Sequence, residues 1–159
     1  MSEPASSGAA AAATDSTSGR ERHKAFQPPV DREVFVVPLT IAAEDIDENR
    51  HVNNVVYVRW LQDVGTAHWN ARFDEATRAK WSWVCLRHEV DYRRPLELGD
   101  TVTARTWVGV PQGPRFARYV LIEGPKGVAA QGLSEWVLVD SKTMRPARIP
   151  AELLGPFEV

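Results

Sequence analysis

Hydrophobic positions recur with two different periods along the chain. Apolar residues take every second position from Phe35 to Ile41, which predicts a half-buried β-strand. Pro38 within this run favours an edge strand or a bulge. From Val55 to Ala71 the apolar residues recur at three- and four-residue spacing, as in an amphipathic helix. Because they cover more than half of its circumference, we expect this helix to be buried against a sheet.

Strand patterns dominate the second half of the chain. Alternating runs begin near Leu86 and Val102, and two further apolar runs follow at 116–122 and 128–139. Turns rich in Gly and Pro separate these runs at hairpin spacing, which makes most neighbouring strands antiparallel. A short helix is predicted at 74–80. One strand, a long apolar helix and four more strands predict an α+β domain of two layers.

The composition changes near the N-terminus. Residues 1–19 are almost entirely Ala, Ser, Gly and Thr. These residues provide too little apolar surface to offset the entropy of ordering the chain. Glu3 precedes the alanine run where a signal peptide needs basic residues, so we expect the tail to be retained. The prediction is a disordered tail and linker over residues 1–29 and a single domain over residues 30–159.

Composition and charge narrow the classes of function. The 159 residues are 43% hydrophobic and 25% charged, with a net charge of −2, as in an ordinary globular domain. The absence of a dense basic block argues against nucleic acid as a partner. No apolar stretch approaches the roughly 20 residues of a membrane span. The single cysteine, Cys85, favours a cytoplasmic location.

Acids, amides and a histidine are concentrated in residues 44–54, directly before the long helix. Asn53 or Asn54 is the expected helix cap. A carboxylate here could act as nucleophile or general base, while an unpaired N–H of the first helical turn stabilises an oxyanion. The alternative is that these side chains merely cap the helix. The residues alone leave both interpretations open.

The run Asp-Glu-Asn-Arg-His-Val-Asn-Asn-Val-Val-Tyr at 47–57 resembles the signature of the hotdog-fold acyl thioesterases. The likeness is to the 4-hydroxybenzoyl-CoA thioesterase branch and to the plant acyl-ACP thioesterases, and it also covers stretches at 90–95 and 144–150. It implies a long central helix wrapped by an antiparallel sheet of five or slightly more strands. It further implies a homodimer, or a tetramer built from it, with the sheet continued across the dimer and active sites at the interface.

The resemblance also implies site residues. Asp47 corresponds to the catalytic carboxylate, and Asn54 to the residue whose backbone N–H polarises the thioester carbonyl. Asn49 and His51 correspond to polar site residues of the plant branch. The implied activity is hydrolysis of an acyl-CoA or acyl-carrier-protein thioester to a carboxylic acid and a thiol, with no metal and no cofactor apart from the coenzyme A of the substrate. The residues expected to bind substrate are Asn53, Tyr57, Arg115 and Arg118.

Several positions depart from the family pattern or compete with it. Arg50 stands where Gly or Gln is commoner, and Pro95 where the plant enzymes have a glutamate. Gln112, Gly113 and Pro114 stand where some bacterial relatives have a basic triplet that contacts coenzyme A phosphates. Arg115 and Arg118 are close by, and they either bind phosphate or only solvate a surface. Asp63 is a second candidate carboxylate.

Each remaining candidate has a plainer interpretation. Asp63 is placed to pair with Arg59 on the helix surface. His88 shares the strand parity of apolar residues and is expected to be a core histidine. Cys85 has no nearby base in the motif and is expected to be inert. Two other functions stay open: a hotdog enoyl-thioester hydratase and a non-catalytic acyl-thioester-binding module.

Overall fold

A computed structural model describes residues 24–158 of the protein. The elements in these residues are β1 (Phe35–Leu39), α1 (Asn54–Arg72), α2 (Glu75–Lys80), β2 (Trp81–Tyr92), β3 (Val102–Val108), β4 (Arg115–Gly124) and β5 (Gly127–Asp140). The predicted order of a strand, a long helix, a short helix and four strands is therefore confirmed. Most of the predicted tail lies outside the described residues.

The strands form one antiparallel sheet in the order β1-β3-β4-β5-β2. Pro38 lies on the edge strand β1, as a residue without an N–H requires. The β4–β5 hairpin turns at Gly127, whose φ of 97° is a left-handed conformation that glycine adopts without strain. β2 is the other edge strand and contains a bulge between Cys85 and Arg87.

Helix α1 packs on one face of this sheet. Its buried residues are Val56, Tyr57, Trp60, Leu61, Val64 and His68. Val55 was expected in the same apolar stripe, but it is 73% exposed. The reason is helical geometry: nine residues separate it from the fully buried Val64, about two and a half turns, so the two side chains point in opposite directions.

A glycine on β5 sets how closely α1 approaches the sheet. A Cβ atom at Gly132 would lie 2.5 Å from Leu61 Cδ2, well inside van der Waals contact. Leu61 is 1% exposed, so it fills the space that this glycine leaves. The main core surrounds this contact and continues through apolar residues of β3, β4 and β5.

A second apolar cluster closes the C-terminal end of α1. It includes Phe73, Phe116, Leu138 and the buried Phe157 from the last described turn. At the other end of the described chain, residues 24–30 contain neither helix nor strand. Among the described helices, none combines the length and the apolar character needed to cross a membrane.

Candidate active site at the start of the long helix

Asp47 begins a tight turn that leads into α1. The Asp47 N–H donates to the His51 carbonyl at 2.9 Å, and the Arg50 N–H donates to the Asp47 carbonyl at 3.0 Å. The Asp47 side chain accepts the Asn49 N–H through Oδ1 at 2.9 Å. Arg50 has a φ of 62°, which explains why a glycine suits this position. The local backbone therefore fixes the Asp47 carboxylate, whose Oδ2 accepts no hydrogen bond from the described residues.

Asp45 anchors this turn to the rest of the fold. Its carboxylate accepts the Ala42 N–H at 2.9 Å and Arg59 Nη2 at 2.8 Å, while its carbonyl accepts the Asn53 N–H at 2.8 Å. Burial raises the pKa of this carboxyl, but the two hydrogen bonds outweigh it and hold the pKa below its usual value. Asp45 therefore remains a charged structural acid.

The first turn of α1 offers an unpaired donor beside Asp47. Asn53 is the cap, since its side chain accepts the Val55 N–H at 3.0 Å. The backbone N–H of Asn54 has no acceptor among the described residues. This N–H lies at the positive end of a helix of 19 residues, where a developing negative charge is stabilised.

These groups line one cleft of about 280 Å³. The predicted residues that the structure brings together there are Asp47, Asn49, His51, Asn54 and Tyr57. Asn53, predicted to bind substrate, does not line the cleft and instead caps the helix. The two residues that carry a free carboxylate oxygen and an unpaired N–H therefore line one cavity, an arrangement suited to attack on a carbonyl carbon with stabilisation of its oxygen.

Two tyrosines form a wall of this cleft. The rings of Tyr57 and Tyr92 meet edge to face, with centroids 5.2 Å apart, and the Tyr92 hydroxyl donates to the Asn54 carbonyl at 3.0 Å. Burial, reinforced by Tyr92, raises the pKa of Tyr57. Its phenol therefore stays protonated and neutral at physiological pH.

His51 lies at the solvent side of the cleft. Its side chain is 41% exposed, and Nε2 lies 3.9 Å from Glu97 Oε1. This separation is too long for a direct hydrogen bond. His51 therefore keeps ring nitrogen atoms available to water or to a ligand in the cleft.

Two arginines at the cleft were missed in the sequence analysis. Arg93 and Arg94 both line it, and both of their backbone N–H groups donate to the Ala129 carbonyl, at 2.8 and 3.0 Å. The available signal was two consecutive basic residues directly after an alternating strand. Periodicity does not tell which loop this pair will face, because that depends on the sheet order.

The arginines that the sequence analysis selected lie elsewhere. Neither Arg115 nor Arg118 lines the Asp47 cleft. Arg115 is exposed at the start of β4, whereas Arg118 is only 7% exposed and lies beneath α1. The idea that Arg118 merely solvates a surface is therefore wrong. Its position two residues from both Phe116 and Val120 gives it the parity of the buried face, a signal that was present in the sequence.

The competing candidates also have defined surroundings. Asp63 is exposed and pairs with Arg59 across one helical turn, at 3.9 Å, as its plainer interpretation predicted. The expectation that Cys85 lacks a base is wrong, because its sulfur lies 3.3 Å from His88 Nε2. Burial raises the pKa of the Cys85 thiol and lowers the pKa of His88. Both effects favour a neutral pair over a reactive thiolate.

Comparison with known proteins gives this arrangement a context. A thioesterase from Thermus thermophilus, solved with coenzyme A and zinc, is 25% identical and superposes with a TM-score of 0.67 over 77% of this chain and 90% of that one. A 12:0-ACP thioesterase from Umbellularia californica shares the fold, with 22% identity and a TM-score of 0.66 over 77% of this chain and 49% of that one. The predicted hotdog fold is confirmed by such neighbours.

Sequence relatives agree over most of the domain. An uncharacterized protein of Mycobacterium tuberculosis is 25% identical over 125 residues, which are 78% of this chain and 49% of that protein. The chain thus spans about half the length of the curated relative that it matches. A family model described as the thioesterase-like superfamily matches residues 41–157, a range that includes the Asp47 turn, all of α1 and four of the five strands. The chain therefore belongs to the thioesterase-like superfamily.

Proposed function

We propose that this protein hydrolyses an acyl thioester, with Asp47 as the reacting carboxylate and the Asn54 N–H as the donor to the carbonyl oxygen. One observation carries the proposal: Asp47 and Asn54 line the same cleft at the positive end of α1. The bound coenzyme A in the Thermus thermophilus thioesterase supports acyl-CoA as the substrate. The single cysteine is consistent with the cytoplasmic location that we propose.

In the proposed reaction the thioester carbonyl oxygen accepts the Asn54 N–H, which stabilises the negative charge that develops on it. Asp47 Oδ2 then attacks the carbonyl carbon, or removes a proton from an attacking water molecule. The C–S bond breaks and the thiolate leaves. If Asp47 attacks, water then hydrolyses the resulting mixed anhydride, which frees the carboxylic acid and restores the Asp47 carboxylate. If water attacks, the acid forms directly, and in both cases the proton released by that water passes to the thiolate. Thioesters have little resonance stabilisation, so a carboxylate and a fixed donor are sufficient chemistry. His51 and Asn49 would hold substrate or water at the polar side of the cleft.

We further propose that Arg93 and Arg94 hold the phosphates of coenzyme A, in place of Arg115 and Arg118. Their backbone is fixed by Ala129 and they stand at the cleft; guanidinium groups bind phosphate through paired hydrogen bonds. Arg94→Gln should raise KM for an acyl-CoA but leave KM for the corresponding acyl-N-acetylcysteamine thioester unchanged. Arg115→Gln is the matched control and should change neither.

A second copy of the chain would complete the site. The outer edge of β2 has no partner strand among the described residues, and it presents Val84 and Leu86, which are 40% and 48% exposed. The unpaired backbone groups of a long edge strand are a template for pairing with another chain. The cleft volume of about 280 Å³ also falls just below the usual range for small-molecule sites. We therefore propose a homodimer through antiparallel β2 strands, which sedimentation velocity would detect at twice the monomer mass.

The central experiment measures thiol release from a panel of acyl-CoA esters. Asp47→Asn keeps the acceptor for the Asn49 N–H but removes the charge, and it should lower kcat by about 10²–10⁴-fold. Asp63→Asn is the matched control, and its kcat should stay within a factor of two. Release of thiol from no ester by the wild-type protein would favour the acyl-binding module. Hydration of an enoyl-CoA without thiol release would favour the hydratase.

The oxyanion donor can be removed without breaking the helix. Asn54 is the first helical residue, where proline is tolerated because its missing N–H has no intrahelical partner. The preceding Asn53 has φ −61° and ψ 141°, a conformation that suits a residue before proline. Asn54→Pro should lower kcat by about 10²–10³-fold, whereas Asn54→Ala keeps the N–H and most of the activity. Equal losses in the two variants would assign the role to the side chain instead.

A further inference from the structure

A second cavity of about 310 Å³ lies beneath the C-terminal half of α1. The residues of α1 that line it, 62–69, are on average about ten positions from those at the Asp47 cleft, which is ~15 Å along the helix axis. Aromatic residues form most of the remaining wall: Trp81, Trp83, Phe116, Trp136 and Phe157. The hydrolysis proposed above makes no use of this cavity.

One buried arginine supplies the charge in this wall. Arg118 lines the cavity and is only 7% exposed. Its Nη1 donates to His68 Nδ1 at 3.0 Å and to Thr106 Oγ1 at 3.1 Å, while Nε and Nη2 donate to no atom of the described residues. Gly65, also in the wall, makes room for it, since a Cβ there would lie 3.4 Å from Arg118 Nε. A buried guanidinium thus keeps donors free beside an open space.

No carboxylate of the described residues contacts Arg118 directly. Because Arg118 donates to His68 Nδ1, the His68 proton is on Nε2, which donates to Glu33 Oε2 at 3.0 Å. Glu33 also pairs with Arg72. Burial lowers the pKa of Arg118 to about 10, so the group is still charged at neutral pH. The neutral imidazole therefore separates this charge from the nearest acid.

Two tryptophans of the wall have indole N–H groups that are shielded from the cavity and lack acceptors among the described residues. The indole N–H groups of Trp81 and Trp136 are buried and have no hydrogen-bond partner among the described residues, and both residues line the cavity. Unpaired buried donors are uncommon, because each loses its hydrogen bonds to water. A cavity with flat apolar walls and a buried cation that keeps free donors is suited to an anion attached to a flat apolar body.

We propose that this cavity binds an organic carboxylate with an aromatic or similarly flat body. The carboxylate pairs with the free edge of the Arg118 guanidinium, and the body lies between the tryptophan and phenylalanine rings. The carboxylate has two potential sources. One is a free acid, and the other is the far end of a carboxylated acyl group.

Isothermal titration calorimetry with 1-naphthoate and the uncharged 1-naphthamide tests the site in the Asp47→Asn protein, where the proposed hydrolysis is disabled. Naphthoate should bind at least about tenfold more tightly, as a charge-assisted hydrogen bond implies. Arg118→Lys keeps the charge but loses the planar fork and should remove most of this preference. Thr66→Phe leaves Arg118 intact, narrows the cavity and should weaken both ligands. Arg115→Gln, on the same strand, should bind as the parent does.

Equal affinity for naphthoate and naphthamide in the parent protein would overturn the proposal, and this comparison needs no variant that has to fold. Naphthoate binding that survives both Arg118→Lys and Thr66→Phe would overturn it as well.

The source of the carboxylate is distinguished by hydrolysis, an arm that rests on the proposed function. In the proposed dimer, antiparallel β2 strands would place Trp81 near Tyr92 of the other copy, so the cavity would face the second cleft. If the carboxylate is the far end of an acyl group, kcat/KM should be higher for 4-carboxybenzoyl-CoA than for 4-methylbenzoyl-CoA. The Arg118→Lys variant should lose this preference. A free acid predicts no such preference. If neither ester is hydrolysed but another ester of the panel is, the carboxylated acyl group is excluded as the source; if no ester of the panel is hydrolysed, the hydrolase proposal fails while the calorimetric result stands.

Discussion

The hydroxyl of Tyr92, at the end of β2, donates a hydrogen bond of 3.0 Å to the carbonyl oxygen of Asn54, the first residue of α1. This bond joins the outer edge strand of the sheet to the helical turn that carries the proposed oxyanion donor. The position of the Asn54 backbone, which carries both this carbonyl and the proposed donor N–H, therefore depends on β2 as well as on the loop that precedes the helix.

Tyr92→Phe should affect catalysis more than folding. The variant keeps the ring contact with Tyr57 but loses the hydrogen bond, which is worth about 0.5–1.5 kcal/mol. Because Tyr92 is 47% exposed, we expect the lower part of this range, a loss of at most about 1 kcal/mol in urea unfolding, whereas kcat should fall about three- to tenfold. Tyr92→Ala loses the ring contact too and should be less stable. An unchanged kcat in Tyr92→Phe would show that the hydrogen bond from Tyr92 does not position the Asn54 backbone.

Arg50→Gly should stabilise the protein. Arg50 has a φ of 62°, which costs a residue with a Cβ about 1 kcal/mol or more. Part of the gain is lost to the greater entropy of glycine in the unfolded chain. We expect Arg50→Gly to exceed Arg50→Ala by about 0.5–1 kcal/mol in free energy of unfolding. Met144, with a φ of 55°, offers the same comparison far from the cleft, and the two sites should agree.

Gly132→Ala should destabilise the protein because its Cβ would collide with Leu61. Overpacking of this kind costs about 1–3 kcal/mol. Gly155→Ala is the control, since a Cβ there meets no atom within 4 Å. The double variant Gly132→Ala, Leu61→Ala should be less destabilised than the sum of its single changes, because the collision is removed. Simple additivity would place the strain somewhere other than this contact.

Stability should fall as the pH is lowered from about 6.5. Burial and Arg118 lower the pKa of His68 to about 4, so between about 6.5 and 4 the unfolded state binds the extra proton and folding becomes less favourable. Hydrogen bonding to Arg72 lowers the pKa of Glu33 to about 2, so its contribution is lost as the pH falls from about 4.5 to 2. Together, the titrations of His68 and Glu33 should lower the free energy of unfolding by a few kcal/mol.

Urea unfolding at several pH values between 7 and 4.5 measures this dependence. His68→Gln can still accept from Arg118 and donate to Glu33, but it cannot be protonated. It should therefore lose most of the slope between pH 6.5 and 4.5. A wild-type protein whose stability is constant over that interval would contradict the assignment.

Some features of the fold and of the site could be predicted from neighbouring residues in the sequence, whereas others could not. The cap at the start of α1 and the helix after it were predictable, because capping and helical period depend on neighbouring residues. The exposure of Val55 required knowing which face of the helix the sheet covers. The position of Arg93 at the cleft required the strand order, which periodicity does not encode.

The second cavity also combines a feature that local sequence indicates with one that only the tertiary structure reveals. The parity of Arg118 on β4 was a signal in the sequence for the buried face, but Arg118 was predicted to bind phosphate or to solvate a surface. Its hydrogen bond to His68 did not follow from either pattern, since it depends on how α1 crosses β4. A charged residue that shares the strand alternation of buried apolar residues is therefore a candidate for a buried ligand-binding role in a sheet of this kind.

The contacts of Glu33 determine how short the folded unit can be made. A chain starting at residue 34 would retain every strand and both helices, yet it would leave Arg72, His68 and Arg118 adjacent with no counterion at their centre. Repulsion would then act on the last turns of the helix. We therefore expect a fragment that begins at residue 34 to be less stable than one that keeps Glu33, a carboxylate that trimming guided by secondary structure alone would remove.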